Sequence, residues 1–199
     1  MNIEEIRSTL DARFAAREQA IAISRTVIRS SANAIRALHR AEWDKAEGLI
    51  GEAREQLDAM TSVVSAHGDL AHSPLVGDAA KEYVEARLTH ALFTGEIPPS
   101  HTELGVDPVP YLHGLGETVG EMRRRMLDLL RAEELVEASR LLAEMDSIVD
   151  LLATLDYPDG MTGGLRRTTD VARSLVERSR SDLTATMVQE RLREDLRHR

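Results

Sequence analysis

Ser24-Arg25-Thr26-Val27-Ile28-Arg29-Ser30-Ser31-Ala32-Asn33-Ala34-Ile35-Arg36-Ala37-Leu38-His39-Arg40 decides the fold class. This stretch holds neither proline nor glycine, and nothing back to Ile3 does either. Apolar residues recur along the whole run at Ile6, Leu10, Phe14, Ile21, Ile28, Ile35 and Leu38, which is a helical period. With Arg25 set at zero and ~100° added per residue, Arg29 falls near 40°, Arg36 near 20° and Arg40 near 60°. Ile23, Val27, Ile28, Ala34, Ile35 and Leu38 fall between roughly 160° and 300°. One face is therefore core, and the opposite face is a row of arginines about 23 Å long at ~1.5 Å per residue. Such a row can follow a phosphate backbone, each contact releasing counterions. A solvated face gives the same spacing. Glu18 is the clear acid on this face, with Glu42 and Asp44 only beyond it, so acid is sparse for a face laced with ion pairs.

Outward from this helix, proline and glycine punctuate the chain. Asp44 followed by Glu47 predicts a capping box opening a second helix that runs to about His67. Residues 68–77 read as a loop, followed by a helix to about Thr94. Residues 95–110 hold four of the six prolines and read as the longest irregular segment, with one turn expected at Ser100–Leu104. Further helices are expected at Tyr111–Leu130, Ala132–Leu155 and Leu165 to about Arg197, with a break at Pro158–Gly164. Six long helices and one short one, with no alternating segment, predict an all-α bundle of long antiparallel helices in one domain, 1–199.

Composition narrows the class. Apolar residues make up 42% and charged residues 30%, so the chain has globular rather than disordered composition. Aromatics are only 3%, which leaves Leu, Ala, Val, Ile and Met to fill the core. The absence of cysteine excludes disulfides and cysteine-ligated zinc. No apolar run reaches the ~20 residues of a membrane span. The first ten residues carry Glu4, Glu5 and Arg7 and lack an apolar signal core, so a cytoplasmic protein is expected. The net charge of −9 argues against a generic nucleic-acid binder, but binding depends on where the positive charge sits. That charge is almost all arginine, the lysines being Lys45 and Lys81. Arginine makes bidentate phosphate contacts that lysine cannot.

Two later helices carry paired carboxylates. Glu82 and Glu85 are three residues apart, and Glu117 and Glu121 four apart, so each pair shares a helix face. Val76, Ala80, Tyr83, Val84, Leu88 and Ala91 lie opposite the first pair, and Leu112, Leu115, Val119, Met122 and Met126 opposite the second. Carboxylates from two helices suit Mg²⁺ or Mn²⁺, hard ions that activate water and neutralise phosphate charge. Such pairs are also common on solvated faces. His113, one turn before Glu117, reads as a surface or packing residue rather than a ligand. Gly114, Gly116 and Gly120 each cost ~1 kcal/mol against alanine inside a helix, which points to close approach by a neighbour. No phosphate loop of the Walker type, His-Glu-x-x-His motif or ferritin-like Glu-x-x-His pair is found.

Taken together, these segments resemble the translin family, translin and its partner, translin-associated factor X. The matching stretches are Ser24-Arg25 to Leu38-His39-Arg40, Glu82-Tyr83-Val84-Glu85-Ala86, Tyr111-Leu112-x-Gly114 with Gly120-Glu121, and Leu165-Arg166-Arg167 through Asp170 and Arg173 to Asp182-Leu183. They run in order over nearly the whole chain. The resemblance implies a seven-helix subunit in a hollow, octameric shell around single-stranded RNA or DNA, with Arg25, Arg29, Arg36, Arg40, Arg166 and Arg167 facing the nucleic acid. A basic interior would reconcile binding with the acidic net charge. The Glu-Tyr-Val-Glu-Ala stretch is the factor X version. It implies a metal-dependent endoribonuclease in which Glu82, Glu85, Glu117 and Glu121 hold Mg²⁺ or Mn²⁺. Factor X has aspartate where Glu117 stands, one methylene shorter, so Glu117 is a departure from its pattern. The alternative is a non-catalytic nucleic-acid-binding protein of the translin kind.

Overall fold

The computed structural model describes residues 2–197. In chain order the helices are α1 (Ile3–His39), α2 (Trp43–Val64), the one-turn α3 (Gly68–Ala71), α4 (Pro74–Thr94), α5 (Pro108–Arg131), α6 (Leu135–Ala153), the one-turn α7 (Asp159–Thr162) and α8 (Leu165–Arg197). No strand occurs among the described residues, so the all-α expectation and its six long helices hold. The turn expected at Ser100–Leu104 is closed by a 3.0 Å bond from the Leu104 N–H to the Ser100 carbonyl but does not propagate. The single-turn helices lie instead in the two segments expected as loop and break.

Several boundaries differ for local physical reasons. Helix α5 begins at Pro108, earlier than Tyr111, because Pro108 and Pro110 occupy a first turn whose N–H groups have no helical partner anyway. Helix α2 begins at Trp43, which places Asp44 inside the first turn. The expected capping box is therefore not formed: Glu42 holds the cap position without a side-chain hydrogen bond. Asp44 acts there as a charge at the positive helix end.

The α1–α2 and α5–α6 turns share one device. At the first, the Glu42 N–H bonds the Ala37 carbonyl at 3.0 Å and the Ala41 N–H bonds the Leu38 carbonyl at 3.0 Å. At the second, the Glu134 N–H bonds the Leu129 carbonyl at 2.9 Å and the Glu133 N–H bonds the Leu130 carbonyl at 3.2 Å. Both are Schellman closures, which place one residue in the left-handed region. Ala41 (φ 57°) and Glu133 (φ 60°) take that position, where glycine is the usual choice.

Contacts group the chain into two compact units, Met1–His90 with Pro99–Gly114, and Ala91–Pro98 with Leu115–Arg199. The division falls inside α4 and α5, which are continuous helices. In the first unit α1 packs along α2, burying Val27, Ala34 and Leu38 with Ile50, Leu57, Met60 and Val64. In the second, α6 packs along α8, and Leu141, Met145 and Leu152 are buried, as are Ala172, Val176 and Leu183. Methionine and leucine thus take the place that aromatics fill elsewhere, as composition requires.

One part of the expected core is not core. Ile6, Leu10 and Phe14 continue the helical period of α1 but are exposed, as is Ile3. With 37 residues against 22, α1 outruns α2 by about 22 Å at ~1.5 Å per residue, so its first turns extend past their neighbour. No described helix is long and apolar enough to cross a membrane.

Candidate nucleic-acid interface and carboxylate site

Helix α1 presents the arginine row as its spacing predicts. Arg25, Arg29, Arg36 and Arg40 are all exposed, while Ser24, Val27, Ser31, Ala34, Ile35 and Leu38 are buried on the other side. Among the described residues none of the four closes an ion pair with a carboxylate. Arg36 donates to Asn33 Oδ1 at 2.6 Å and Arg29 to Thr26 Oγ1 at 3.4 Å, both neutral acceptors. Arg40 acts on Glu42 through its charge, one of several causes, led by the Lys45 hydrogen bond, that hold the Glu42 carboxyl below its usual range. Four guanidinium groups therefore keep their charge available along one exposed helix face.

The arginines on α8 are less open. Arg166 lies 3.3 Å from Asp156, and Arg173 lies 3.2 Å from Asp170. Arg167 is exposed beside Arg166 at the start of α8, and both line an open groove with Gly163, Gly164, Ser174 and Arg178.

Helix α4 is buried around most of its circumference: Ala79, Ala80, Tyr83, Val84, Ala86, Leu88 and Thr89 all lie inside. Glu82 and Glu85 are half-buried on this helix, not part of a solvated face. Lys81 Nζ stands 3.4 Å from Glu82 Oε1. Below them Tyr83 packs under the Arg54 guanidinium, whose central carbon is 5.9 Å from the ring centroid. Arg54 also donates to Asp58 at 2.9 Å and to the Leu104 carbonyl, so a single side chain ties α2 and the 99–107 segment to the rung beside the carboxylates. Burial opposes the charge on Arg54, but the Asp58 hydrogen bond and charge outweigh it and raise its pKa. Sequence reasoning missed Arg54, because its partners lie up to 50 residues away and leave no local signature.

Helix α5 meets α4 at Gly114. A Cβ there would sit 2.7 Å from Val84 Cγ1 and 2.8 Å from the Lys81 carbonyl oxygen, so only glycine lets the two backbones come this close. Gly116 is equally tight, with 2.4 Å to Thr168 Cγ2, whereas at Gly120 the nearest atom is an ordinary 3.9 Å away. Close approach thus explains two of the three glycines. The Tyr111 hydroxyl donates to the Pro99 carbonyl at 3.1 Å and ties the first turn of α5 to the irregular segment. Burial, helped by the charge of Glu103, pushes the Tyr111 phenol pKa up.

Glu117 follows Gly114 by one turn, and Glu121 follows by another; both are half-buried. Glu82, Glu85 and Glu117 each bring a carboxylate oxygen within 4.8 Å of the others. Glu121 is not one of this trio, and His113 is half-buried one turn before Glu117. An all-oxygen donor set fits a hard divalent ion such as Mg²⁺ or Mn²⁺.

An all-helical protein with an arginine-lined helix and a cluster of three carboxylates is the class these observations define. No protein-family model matches the chain. It is 27% identical over 183 residues to an uncharacterised protein of Methanocaldococcus jannaschii, covering 91% of this chain and 81% of that one. Its structure is similar to AfC3PO in a complex with duplex RNA, with a TM-score of 0.88 and 32% identity over 95% of this chain and 98% of that one. AfC3PO alone gives a TM-score of 0.86 at 31% identity, with the same coverage. Apo-NeC3PO shares the fold, with a TM-score of 0.84 at 18% identity over 93% of this chain and 97% of that one. The chain belongs to the translin family of C3PO-like proteins.

Proposed function

We propose that this protein binds single-stranded RNA or DNA along the arginine row of α1 and hydrolyses RNA phosphodiesters with Mg²⁺ or Mn²⁺, as a subunit of a homo-oligomeric, octameric shell. The observation that carries the binding reading is the row itself: four exposed guanidinium groups on one face, none paired with an acid among the described residues. Family membership supports it, since a 32% identical relative was solved with duplex RNA. The nuclease reading rests on Glu82, Glu85 and Glu117, with Glu121 one turn on. A bound divalent ion would supply charge neutralisation at the phosphate and activation of water. The chain's own part is to hold the three carboxylates on α4 and α5, with Gly114 allowing the approach. The assembly reading is supported by the apolar residues left uncovered on α1 (Ile3, Ile6, Leu10, Phe14) and near the end of α8 (Val188, Leu192, Leu196).

The test is cleavage of a short labelled RNA in Mg²⁺ or Mn²⁺, with wild type and Glu85→Ala purified identically to control for trace ribonuclease. Cleavage by wild type and its loss in the variant are expected; equal rates would overturn the nuclease reading. The longer Glu117 side chain favours a second reading, a non-catalytic binder. That reading requires that wild type bind but not cleave; a gain of cleavage in Glu117→Asp would trace the loss to the extra methylene. Replacing Arg29 and Arg36 by glutamine should weaken binding and lower the salt slope by about 0.7 per lost contact on a single strand.

A further inference from the structure

Three consecutive arginines follow the second carboxylate pair on α5, and they have separate fates. Arg123 is largely buried: it donates to Ser179 Oγ at 2.9 Å and to Asp182 at 2.8 Å, tying α5 to α8. Arg125 contributes its charge to Glu137 on α6, behind the larger effect of Arg140. Further along, Arg131 lies 3.5 Å from Asp128. Arg124 is exposed and makes no hydrogen bond or ion pair among the described residues.

Its direction gives this meaning. With Glu117 set at zero and ~100° added per residue, Glu121 lies near 40° and Arg124 near 340°, whereas Arg123 lies near 240° and Arg125 near 80°. Leu115, Val119, Met122 and Met126 are buried on the opposite side. Arg124 therefore shares the acids' face, about 4.5 Å along the axis beyond Glu121 and 10.5 Å beyond Glu117. A phosphodiester brought to a carboxylate cluster meets like charge. An ion held by the acids would offset part of that charge. A planar guanidinium next along the same face meets the remaining non-bridging oxygens with paired N–H donors.

We infer that Arg124 is a substrate-binding residue that takes a non-bridging oxygen of the bound strand's backbone phosphate beside the carboxylates; this rests on the nucleic-acid reading above, and its placement relative to cleavage rests on the nuclease reading. The experiment uses the full chain with a fluorescent single-stranded RNA and the same sequence as a duplex. Binding is followed by anisotropy in EDTA over a series of KCl concentrations, for wild type, Arg124→Gln, Arg124→Lys and Glu85→Gln. Cleavage in Mg²⁺ is followed in parallel. Arg124→Gln is expected to weaken single-strand binding and lower the slope of log K against log salt by about 0.7, the value for one lost phosphate contact. Arg124→Lys keeps the slope because it keeps the charge, and Glu85→Gln keeps or raises affinity. If wild type cleaves, Arg124→Gln slows the reaction at saturating RNA and Arg124→Lys recovers part of the loss. An unchanged affinity and slope in Arg124→Gln on both RNAs would overturn the inference, whether or not cleavage occurs. Wild type that binds without cleaving overturns the nuclease reading and leaves the slope test of Arg124 intact. Wild type that binds neither RNA overturns the inference together with the nucleic-acid reading.

Discussion

Gly114→Ala sets two magnitudes against each other with opposite signs. Inside a helix, alanine is better than glycine by about 1 kcal/mol, so propensity alone predicts stabilisation. The structure predicts the reverse. The added methyl would lie 2.8 Å from the Lys81 carbonyl oxygen, 2.7 Å from Val84 Cγ1 and 2.9 Å from Val84 Cβ. Val84 is fully buried, and a backbone carbonyl cannot rotate away as a flexible side chain would. Overpacking of this kind costs about 2–3 kcal/mol, which leaves a net loss of about 1–2 kcal/mol. For a chain of this size that is a fall in Tm of about 2–8 °C. Gly48 and Gly51 on α2 provide the control, because nothing lies within 4 Å of a Cβ at either. Gly48→Ala and Gly51→Ala should each gain about 1 kcal/mol and melt higher by about 2–4 °C. Thermal melts followed by circular dichroism, with urea titrations for the free energies, separate the two cases. If Gly114→Ala melts above wild type alongside Gly48→Ala, α4 and α5 do not meet at this glycine, and the account of how Glu117 is placed fails with it.

Two further predictions concern single groups. Arg140 donates to both Glu137 oxygens at 2.7–3.0 Å and holds the Glu137 carboxyl below its usual range. A depressed folded pKa means stability that is present above the unfolded value of about 4.3 and lost as pH falls through the folded one. Glu137→Gln should therefore be less stable than wild type at pH 7, with the gap closing as the pH drops below about 4; a gap independent of pH would contradict this. Ala41 sits in the left-handed region at φ 57°, which costs a residue with a Cβ about 1 kcal/mol or more. Ala41→Gly should raise stability by about 1 kcal/mol in urea unfolding, and a loss would show that the α1–α2 closure is not as described.

The sequence by itself carried the helices, because that information is local. A period of 3.6, proline and glycine punctuation and the opposition of arginines to aliphatics on α1 are all properties of neighbouring residues. Its errors were also local: the capping box expected at Asp44 does not form, because the helix starts at Trp43 and is capped two residues earlier, at Glu42, without a side-chain hydrogen bond. Glycines in α5 signalled close approach correctly at Gly114 and Gly116 but not at Gly120, since a missing Cβ shows that space is short only once the neighbour is known. The glutamates were legible as two pairs, and their meaning came from resemblance, because spacing cannot tell a solvated face from a half-buried one. Tertiary structure decided that distinction, and it brought Glu117 to Glu82 and Glu85. It also showed that Ile6, Leu10 and Phe14 repeat with a core period without being covered by this chain. Arg54 and Arg124 had no signal of their own in the sequence. One is defined by partners up to 50 residues away, the other by which of three adjacent arginines the packing leaves uncommitted. Periodicity is a property of a segment, whereas burial and proximity belong to the whole packed chain, and the site depends on both.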